Sequence, residues 1–339
     1  MTRVGIINVT GYAGSELARI LHNHPEVELT SITGRSAAGK QLSEVFPHLR
    51  TASMTITPEI EGSVDVVFSA LPHAASAEKL KPFIDDGIPA IDISADFRLK
   101  DLATYESWYK VEHPCPNYIE SAVYGLPELH RSKLKQTKLV ANPGCYPTGT
   151  ILGMAPAMRA GIVQTDVISD CKSGISGAGR SAKMEYGFSE LNDNMSAYGL
   201  SGHRHQPEMA QELSGVSASG PVNVTFVPHL APMTRGILGT HYAKLTRNVT
   251  QAEVTELYRE FYADEPFVHV VPAPPATKET WGSNDCLIYP YVRVETGTLI
   301  VVSAIDNLVK GAAGAGVQNM NIMLGIEETL GLEGLPVYP

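Results

Sequence analysis

Cysteine is scarce in this sequence, acidic side chains outnumber basic ones, and no apolar run reaches the length of a membrane span. The 339 residues include 26 basic and 36 acidic side chains, and the resulting formal charge of -10 would repel a phosphate backbone. We therefore expect neither a nucleic-acid partner nor membrane insertion. Met1 leads directly into RVGIINV, without a basic segment and a small-residue cleavage site, so we expect a soluble, cytoplasmic protein.

The four cysteines are too far apart for a disulfide framework or for a Cys-x-x-Cys metal site. We expect all of them to be thiols in a reducing compartment. Three are interpreted as small, buried apolar side chains, namely Cys115, Cys171 and Cys286. The fourth, Cys145, lies in the segment ANPGCYPTGT, between a Pro-Gly pair and a Tyr-Pro-Thr run.

Hydrophobic patterning divides the chain into two parts. Before Cys145, short β-rich runs such as VGIINV and VDVVFSA alternate with helical patterns, which predicts βαβ units and a mostly parallel sheet. After Cys145, longer runs such as VNVTFVPHL and RGILGTHYAKL surround the helical pattern TQAEVTELYREFYA, which predicts an α+β domain with an antiparallel sheet. The closing run LVKGAAGAGVQNMNIMLGIEETL is predicted to be helical despite its glycines.

The segment VGIINVTGYAGSEL predicts a strand, a turn with Gly11 and Gly14, and a helix that begins near Ser15. Such a turn brings backbone N–H groups close to a pyrophosphate, at the positive end of a helix. Asn8 occupies the place of the first glycine, and asparagine is the next-best residue at positive φ. Glycine-rich β-α turns also occur as plain architecture, so the pattern alone leaves cofactor binding open.

The second strand leads into TGRSAAGK, which has no acidic residue to hold the ribose 2'-hydroxyl of NAD. Arg35, Ser36 and Lys40 can instead hydrogen-bond and neutralise a 2'-phosphate. This favours NADP(H) over NAD, the alternative being a solvated loop that merely carries basic side chains.

Cys145 is predicted at a helix N-terminus, because TKLVANPG is typical of a strand and loop and YPTGTILGMAPAMRAG is typical of a helix. The helix dipole and the free N–H groups there stabilise a thiolate. We therefore interpret Cys145 as a nucleophile, against the alternative of a buried apolar side chain. Pro156 is expected to kink or restart this helix.

A histidine pair in GHRHQPE is the candidate proton carrier for that thiolate. His203 and His205 would face the same way on an extended segment, and either imidazole could act. His-x-His also chelates metals, but Glu208 is the only further ligand close in sequence, so we predict no metal site. Two ordinary surface histidines are the remaining alternative.

Three loops carry side chains suited to anionic substrate groups, since arginine binds carboxylate and phosphate oxygens bidentately. Surface salt bridges would account equally well for each arginine taken alone. The loops are SADFR with Arg98, KSGISGAGR with Ser173, Ser176 and Arg180, and APMTRG with Arg235.

Taken together, these motifs resemble the N-acetyl-gamma-glutamyl-phosphate reductases of arginine biosynthesis. The most specific is VANPGCYPTG, followed by Gly153 and Pro156, which is similar to that family's signature around its nucleophilic cysteine. The other matching segments are GYAG, SADFR, SGISGAGR, HRHQPE, PHLAPMTRGIL and IDNLVKGAAGAGVQ. The resemblance thus covers nearly the whole chain, with Asn8 as its main departure because the family usually has glycine there.

The resemblance implies an α/β fold similar to the glyceraldehyde-phosphate and aspartate-semialdehyde dehydrogenases. Residues 1–144 would form an NADP-binding Rossmann domain, 145–306 the α+β catalytic domain, and 307–339 a C-terminal helix returning to the Rossmann domain. It further implies homodimers or homotetramers and a cysteinyl thioester reduced by NADPH.

The same likeness assigns site residues. Cys145 would be the nucleophile, with His203 or His205 as the acid/base. The cofactor contacts would be Thr10, Gly11, Tyr12, Gly14, Arg35, Ser36, Ser176, Gly177 and Asn307. The substrate contacts would be Arg98, Asn142, Ser173, Arg180 and Arg235.

Other functions remain open at this point. A paralogous aminoadipyl-phosphate reductase of lysine biosynthesis would use the same chemistry on a substrate one carbon longer. A cysteine-histidine hydrolase or acyltransferase would need no nicotinamide, and a non-catalytic NADP-binding sensor would carry an inert thiol.

Overall fold

The structure is a computed structural model that describes all residues, 1–339. Thirteen strands form two sheets. The strands are β1 Thr2–Ile7, β2 Val27–Ile32, β3 Val66–Ser69, β4 Ala90–Asp92, β5 Val123–Tyr124, β6 Leu139–Ala141, β7 Val163–Ser173, β8 Ser196–Ala197, β9 Asn223–Leu230, β10 Ile237–Leu245, β11 Val268–Val270, β12 Cys286–Arg293 and β13 Thr298–Ile305.

Ten α-helices accompany the strands, and none is both long and apolar enough to cross a bilayer. The helices are α1 Tyr12–His22, α2 Leu42–Val45, α3 Ser76–Asp85, α4 Leu102–Tyr109, α5 Pro127–Leu134, α6 Cys145–Arg159, α7 Phe188–Leu191, α8 Gln206–Val216, α9 Gln251–Phe261 and α10 Gly314–Leu324. A π-helical turn, Val309–Ala313, leads directly into α10.

The chain divides into two compact units. Unit 1 comprises Met1–Gly144 and Ala312–Gly334, and unit 2 comprises Cys145–Gly311 and Leu335–Pro339. The chain therefore passes from unit 1 into unit 2 immediately before Cys145 and leaves unit 2 immediately after Gly311.

Unit 1 is built on a six-stranded parallel sheet of order β2-β1-β3-β4-β6-β5. Strands β3, β4 and β6 are short and wholly buried, as expected when helices cover both faces of a parallel sheet. Helix α10 belongs to this unit and contacts α1, α5 and β4. The predicted parallel sheet and the predicted return of the final helix to it are both confirmed.

Unit 2 is built on a seven-stranded sheet of order β11-β12-β13-β10-β7-β9-β8. The prediction of an antiparallel sheet holds for four of the six strand pairs, but β7 pairs with β9, and β11 with β12, in parallel. Parallel neighbours need a crossover connection, and α8 lies in the segment that joins β7 to β9. The sheet is therefore mixed.

Helix α6 packs on this sheet, against β10, β13 and β7, and is flanked by α8 and α9. It runs continuously from Cys145 to Arg159, so of the two effects expected of Pro156, a kink or a restart, the restart does not occur. A proline cannot donate to the carbonyl four residues earlier, here that of Leu152. The hydroxyl of Tyr262, just beyond α9, donates to this carbonyl oxygen at 2.5 Å, so the group left without a helical donor is satisfied from outside the helix.

Candidate functional site

The turn between β1 and α1 carries the predicted nucleotide contacts of unit 1. Asn8 has a φ of +68°, so asparagine does occupy the positive-φ position of this turn. Its Nδ2 donates to the Ala70 carbonyl oxygen at 2.9 Å, and its Oδ1 accepts from Thr10 Oγ1 at 2.9 Å. Asn8 thereby joins the turn to the loop that follows β3, a contact that glycine could not make. Helix α1 begins at Tyr12 rather than near Ser15.

The two glycines of this turn serve different needs. A Cβ on Gly14 would lie 2.4 Å from the Asn8 carbonyl oxygen and 2.8 Å from Val9 Cα, so close backbone packing requires glycine there. A Cβ on Gly11 would meet only Asn8 Nδ2, at 3.9 Å, and Gly11 has an ordinary φ of -83°. The chain itself does not require glycine at position 11. Open space over a helix N-terminus fits the approach of a pyrophosphate.

Arg35 and Ser36 lie in a short 3-10 turn, Arg35–Ala37, shortly after β2. Arg35 pairs with Glu59 at 2.7 Å, and both side chains are largely exposed. Exposed pairs of this kind contribute little free energy, so the guanidinium can exchange this partner for another anion.

The other predicted site residues of unit 1, Arg98 and Asn142, are buried. Arg98 donates from Nε to the Asn142 carbonyl oxygen at 2.7 Å and from Nη2 to the Ile93 carbonyl oxygen at 2.8 Å. The amide of Asn142 donates to the Ala312 carbonyl oxygen at 2.9 Å and accepts from Asn319 at 3.1 Å. These bonds stabilise the segment that precedes Cys145, and the substrate-binding role of both residues remains a prediction.

In unit 2, Cys145 is the first residue of α6, as the sequence predicted. It is the only one of the four thiols that is not buried. Burial raises the pKa of Cys171 to about 12, so that thiol stays protonated at neutral pH. A Cβ on Gly311 would lie only 2.9 Å from Cys145 Cβ, so Gly311, in the π-helical turn, packs directly against Cys145.

His203 and His205 share an aromatic cluster with Tyr146, the residue after Cys145. The two imidazole centroids are 4.8 Å apart, and each lies 5.9 Å from the Tyr146 ring. The expectation of an extended segment is wrong: the pair lies in the turn that opens α8, where Met209 N–H donates to the His205 carbonyl oxygen at 3.1 Å. A turn, rather than strand alternation, brings the two rings together.

The two histidines differ in their surroundings. His205 N–H donates to Nδ1 of His203 at 3.1 Å, so the proton of neutral His203 is on Nε2. Burial and, to a smaller extent, the positive charge of Arg204 together lower the pKa of His203 to about 4. His203 is therefore neutral near pH 7.

Further predicted residues meet where three loops of unit 2 converge. Asn307 Oδ1 accepts from Gly236 N–H at 2.7 Å, while its Nδ2 donates to Ser176 Oγ at 2.9 Å. Gly177 and Ser173 adjoin this contact. The fold thus brings together Ser173, Ser176, Gly177, Arg235 and Asn307, whereas Arg180 lies on an exposed loop beyond them.

The structure adds residues that the motif analysis did not single out. Tyr198 donates through its hydroxyl to the Tyr146 hydroxyl at 3.1 Å, beside the histidine pair. Asp306 pairs with Arg235 at 3.2 Å, and Gly311 packs on Cys145. Asp306 and Gly311 both lie in the IDNLVKGAAGAGVQ motif.

Comparison with protein families divides the chain at nearly the same place as the structure. Residues 3–137 match the model described as semialdehyde dehydrogenase, NAD binding domain, and residues 145–307 match the model described as semialdehyde dehydrogenase, dimerisation domain. Unit 1 therefore contains a nicotinamide-nucleotide-binding domain, and the fit of the Asn8–Gly14 turn to a pyrophosphate agrees with this.

Solved structures with the same fold are aspartate-semialdehyde dehydrogenases. The chain is similar to aspartate semialdehyde dehydrogenase II of Vibrio cholerae complexed with ASA, with a TM-score of 0.72 and 15% identity over 96% of this chain and 98% of that one. It is also similar to the Candida albicans enzyme with NADP, with a TM-score of 0.70 and 16% identity over 96% of this chain and 98% of that one. At this identity the likeness establishes the fold.

Sequence relatives are far closer and extend over the full length. An N-acetyl-gamma-glutamyl-phosphate reductase of Dehalococcoides mccartyi is 56% identical over 337 residues, 99% of each chain. Reductases of the same name from Desulforamulus reducens and Geobacter sulfurreducens are 50% and 51% identical, with each alignment covering 100% of both chains. The chain belongs to the N-acetyl-gamma-glutamyl-phosphate reductase family.

Proposed function

We propose that this protein catalyses the NADPH-dependent reduction of N-acetyl-gamma-glutamyl phosphate to N-acetylglutamate semialdehyde and phosphate, in arginine biosynthesis. The observation that carries the proposal is the position of Cys145. It is the first residue of α6 and the only thiol that is not buried, and it lies within a chain that matches reductases of this name over its whole length.

The residues of unit 2 supply covalent catalysis. The Cys145 thiolate attacks the acyl carbon, an S–C bond forms, and the C–O bond to the phosphoryl group breaks to release phosphate. The Asn8–Gly14 turn of unit 1 would hold NADPH, which would supply the hydride that reduces the resulting thioester. A histidine donates a proton to the oxyanion formed by hydride addition and takes this proton back as the thiohemiacetal collapses, which releases the semialdehyde and restores the thiolate.

The reverse reaction tests this function. Purified protein mixed with NADP+, phosphate and N-acetylglutamate semialdehyde should form NADPH, and the signal should require phosphate. Absence of a signal from protein that binds NADP+ would contradict the proposal and would favour the aminoadipyl substrate or a non-catalytic role.

His205 is the better candidate for the acid/base. With a pKa of about 4, His203 is protonated in only about one molecule in a thousand at pH 7, so it cannot supply the proton efficiently. We expect His205→Ala to lower kcat by about a hundredfold or more and to remove one limb of the pH-rate profile.

His203→Ala should keep that limb, even if its rate falls because the aromatic cluster is disturbed. Profiles of kcat and kcat/KM from pH 5 to pH 9 would show the difference. Loss of the limb in His203→Ala alone would reverse the assignment.

Arg35 is proposed to select NADP(H) through the 2'-phosphate, with Ser36 beside it. The present partner of Arg35, Glu59, is exposed and exchangeable. Arg35→Ala should raise the Kd for NADPH by about tenfold, the equivalent of about 1.4 kcal/mol, and should leave the Kd for NADH unchanged.

Glu59→Gln is the matched control, because it removes the competing carboxylate and keeps the guanidinium. This variant should bind NADPH at least as tightly as the wild type in a fluorescence titration. Equal weakening of NADPH and NADH by Arg35→Ala would contradict the selectivity role.

A homodimer or homotetramer is proposed to form through the sheet of unit 2. Ile168, Tyr242, Ile300 and Tyr291 lie opposite one another across β7, β10, β13 and β12, so they share one face. Ile168 is 49% exposed and Tyr291 41% exposed, which is unusual for an apolar row at the centre of a sheet. The matching family model is described as a dimerisation domain. A monomeric mass in light scattering would contradict this proposal.

A further inference from the structure

We propose that Asp306 is a positioning residue that orients the guanidinium of Arg235 toward an anionic group of the substrate. The inference rests on the proposed function, within which Arg235 contacts substrate. It concerns a carboxylate that has no part in the thioester chemistry itself.

Asp306 directly follows β13 and is fully buried. Its Oδ1 accepts from Leu308 N–H at 2.7 Å and from Val309 N–H at 3.3 Å. Its Oδ2 accepts from Gly282 N–H at 2.8 Å and from Arg235 Nη1 at 3.2 Å. Three backbone donors thus hold this carboxylate in one orientation before the arginine is considered.

Arg235 is held through its side chain and through the peptide group that follows it. Trp281 Nε1 donates to the Arg235 carbonyl oxygen at 3.0 Å, and the next peptide N–H, that of Gly236, donates to Asn307 Oδ1 at 2.7 Å. Asp306 and Asn307 are neighbours in sequence, so one short segment holds both the side chain and the backbone of this loop. The Arg235 side chain is still 28% exposed, which leaves part of it accessible to a ligand.

A buried carboxylate suits this task because it orients the guanidinium without cancelling its attraction for an anion. The three backbone N–H groups offset much of the negative charge of Asp306. An arginine that is already oriented loses less conformational entropy when it binds an anion bidentately. The anion is the transferred phosphate or the substrate carboxylate, which share this chemistry.

The test is a double-mutant cycle in the reverse reaction, with Asp306→Asn, Arg235→Ala and the double variant. Phosphate and N-acetylglutamate semialdehyde are varied separately, so the KM that rises identifies the anion. In Asp306→Asn, the new NH2 group would face backbone N–H donors in either amide orientation. In both orientations Arg235 would lose its negatively charged partner. We expect KM for one substrate to rise about tenfold in this variant, with little change in kcat.

The Asp306 carbonyl oxygen also accepts from Gly311 N–H at 3.0 Å, and Gly311 packs on Cys145. The rate of Cys145 alkylation by iodoacetamide therefore reports whether a variant disturbs the nucleophile. This rate should stay within about twofold of wild type in Asp306→Asn, since the substitution keeps the backbone acceptor. Asp65→Asn, which removes an exposed Asp–Arg pair in unit 1, is the matched control and should leave both KM values unchanged.

The proposal predicts that Asp306→Asn has no further effect in the Arg235→Ala background. Independent, multiplicative effects would overturn it, as would an unchanged KM or a fall in kcat that parallels slower alkylation. If Asp306→Asn does not fold, Asp306→Glu keeps the charge and should give a smaller rise in KM that likewise disappears without Arg235. A wild-type protein without phosphate-dependent activity would instead refute the proposed function, so the two failures are distinguishable.

Discussion

Replacing Cys145 by alanine is expected to abolish the phosphate-dependent formation of NADPH, with a loss of about ten-thousandfold or more, while cofactor binding persists. The loss should be this large because no thioester can form without the sulfur atom, and the other three thiols are buried. Cofactor binding should persist because the Asn8–Gly14 turn belongs to unit 1. Initial rates and a fluorescence titration with NADPH measure the two properties.

Cys171→Ala is the matched control, since it removes a fully buried thiol from the same unit. That variant should retain turnover, although the small cavity is expected to lower its stability. Activity that survives in Cys145→Ala, or that disappears equally in Cys171→Ala, would refute the assignment of the nucleophile.

Gly311→Ala is expected to lower kcat by about tenfold to a hundredfold, because misplacement of a reacting atom by about 1 Å can have an effect of this size. The added methyl group would lie 2.9 Å from Cys145 Cβ and 3.3 Å from both Cys145 Cα and the Asp306 carbonyl oxygen. Atoms this close must move apart, and Cys145 and the π-helical turn are the groups that can move. The rate of Cys145 alkylation should change together with kcat.

Gly215→Ala in α8 is the control for this substitution, because its added Cβ would meet no atom within 4 Å. Alanine should even stabilise that helix, by up to about 1 kcal/mol, without altering kcat. Unchanged kcat and alkylation in Gly311→Ala would mean that the turn yields easily and does not position the nucleophile.

Several features depend on short-range patterns and could therefore be predicted from the chain. The helix that begins at Cys145 follows from a β-like run, a Pro-Gly pair and a helical pattern, and it is present as expected. The positive φ of Asn8 follows from the glycine spacing of a nucleotide-binding turn. The parallel sheet of unit 1 follows from alternating strand and helix signals.

Other features depend on partners distant in sequence, and the pattern could not reveal them. His203 and His205 were expected on an extended segment because of their alternate spacing, but this segment makes the turn into α8 instead. Pro156 was expected to kink or restart its helix, but the helix does not restart, and the hydroxyl of a tyrosine more than a hundred positions later supplies the missing donor. The parallel pairs in the sheet of unit 2 reflect crossover connections rather than the composition of single strands.

The residue types and their local spacing were enough to identify the family and to predict a nucleophile and a nucleotide-binding turn, because thiolate activation and phosphate binding use short stretches of backbone. The tertiary structure decided which side chains act on one another. Asp306 reaches Arg235 across 71 positions, and Gly311 lies against Cys145 only because β13 and the π-helical turn bring it there. Such contacts are set by the packing of whole elements, and no local pattern encodes the geometry of that packing.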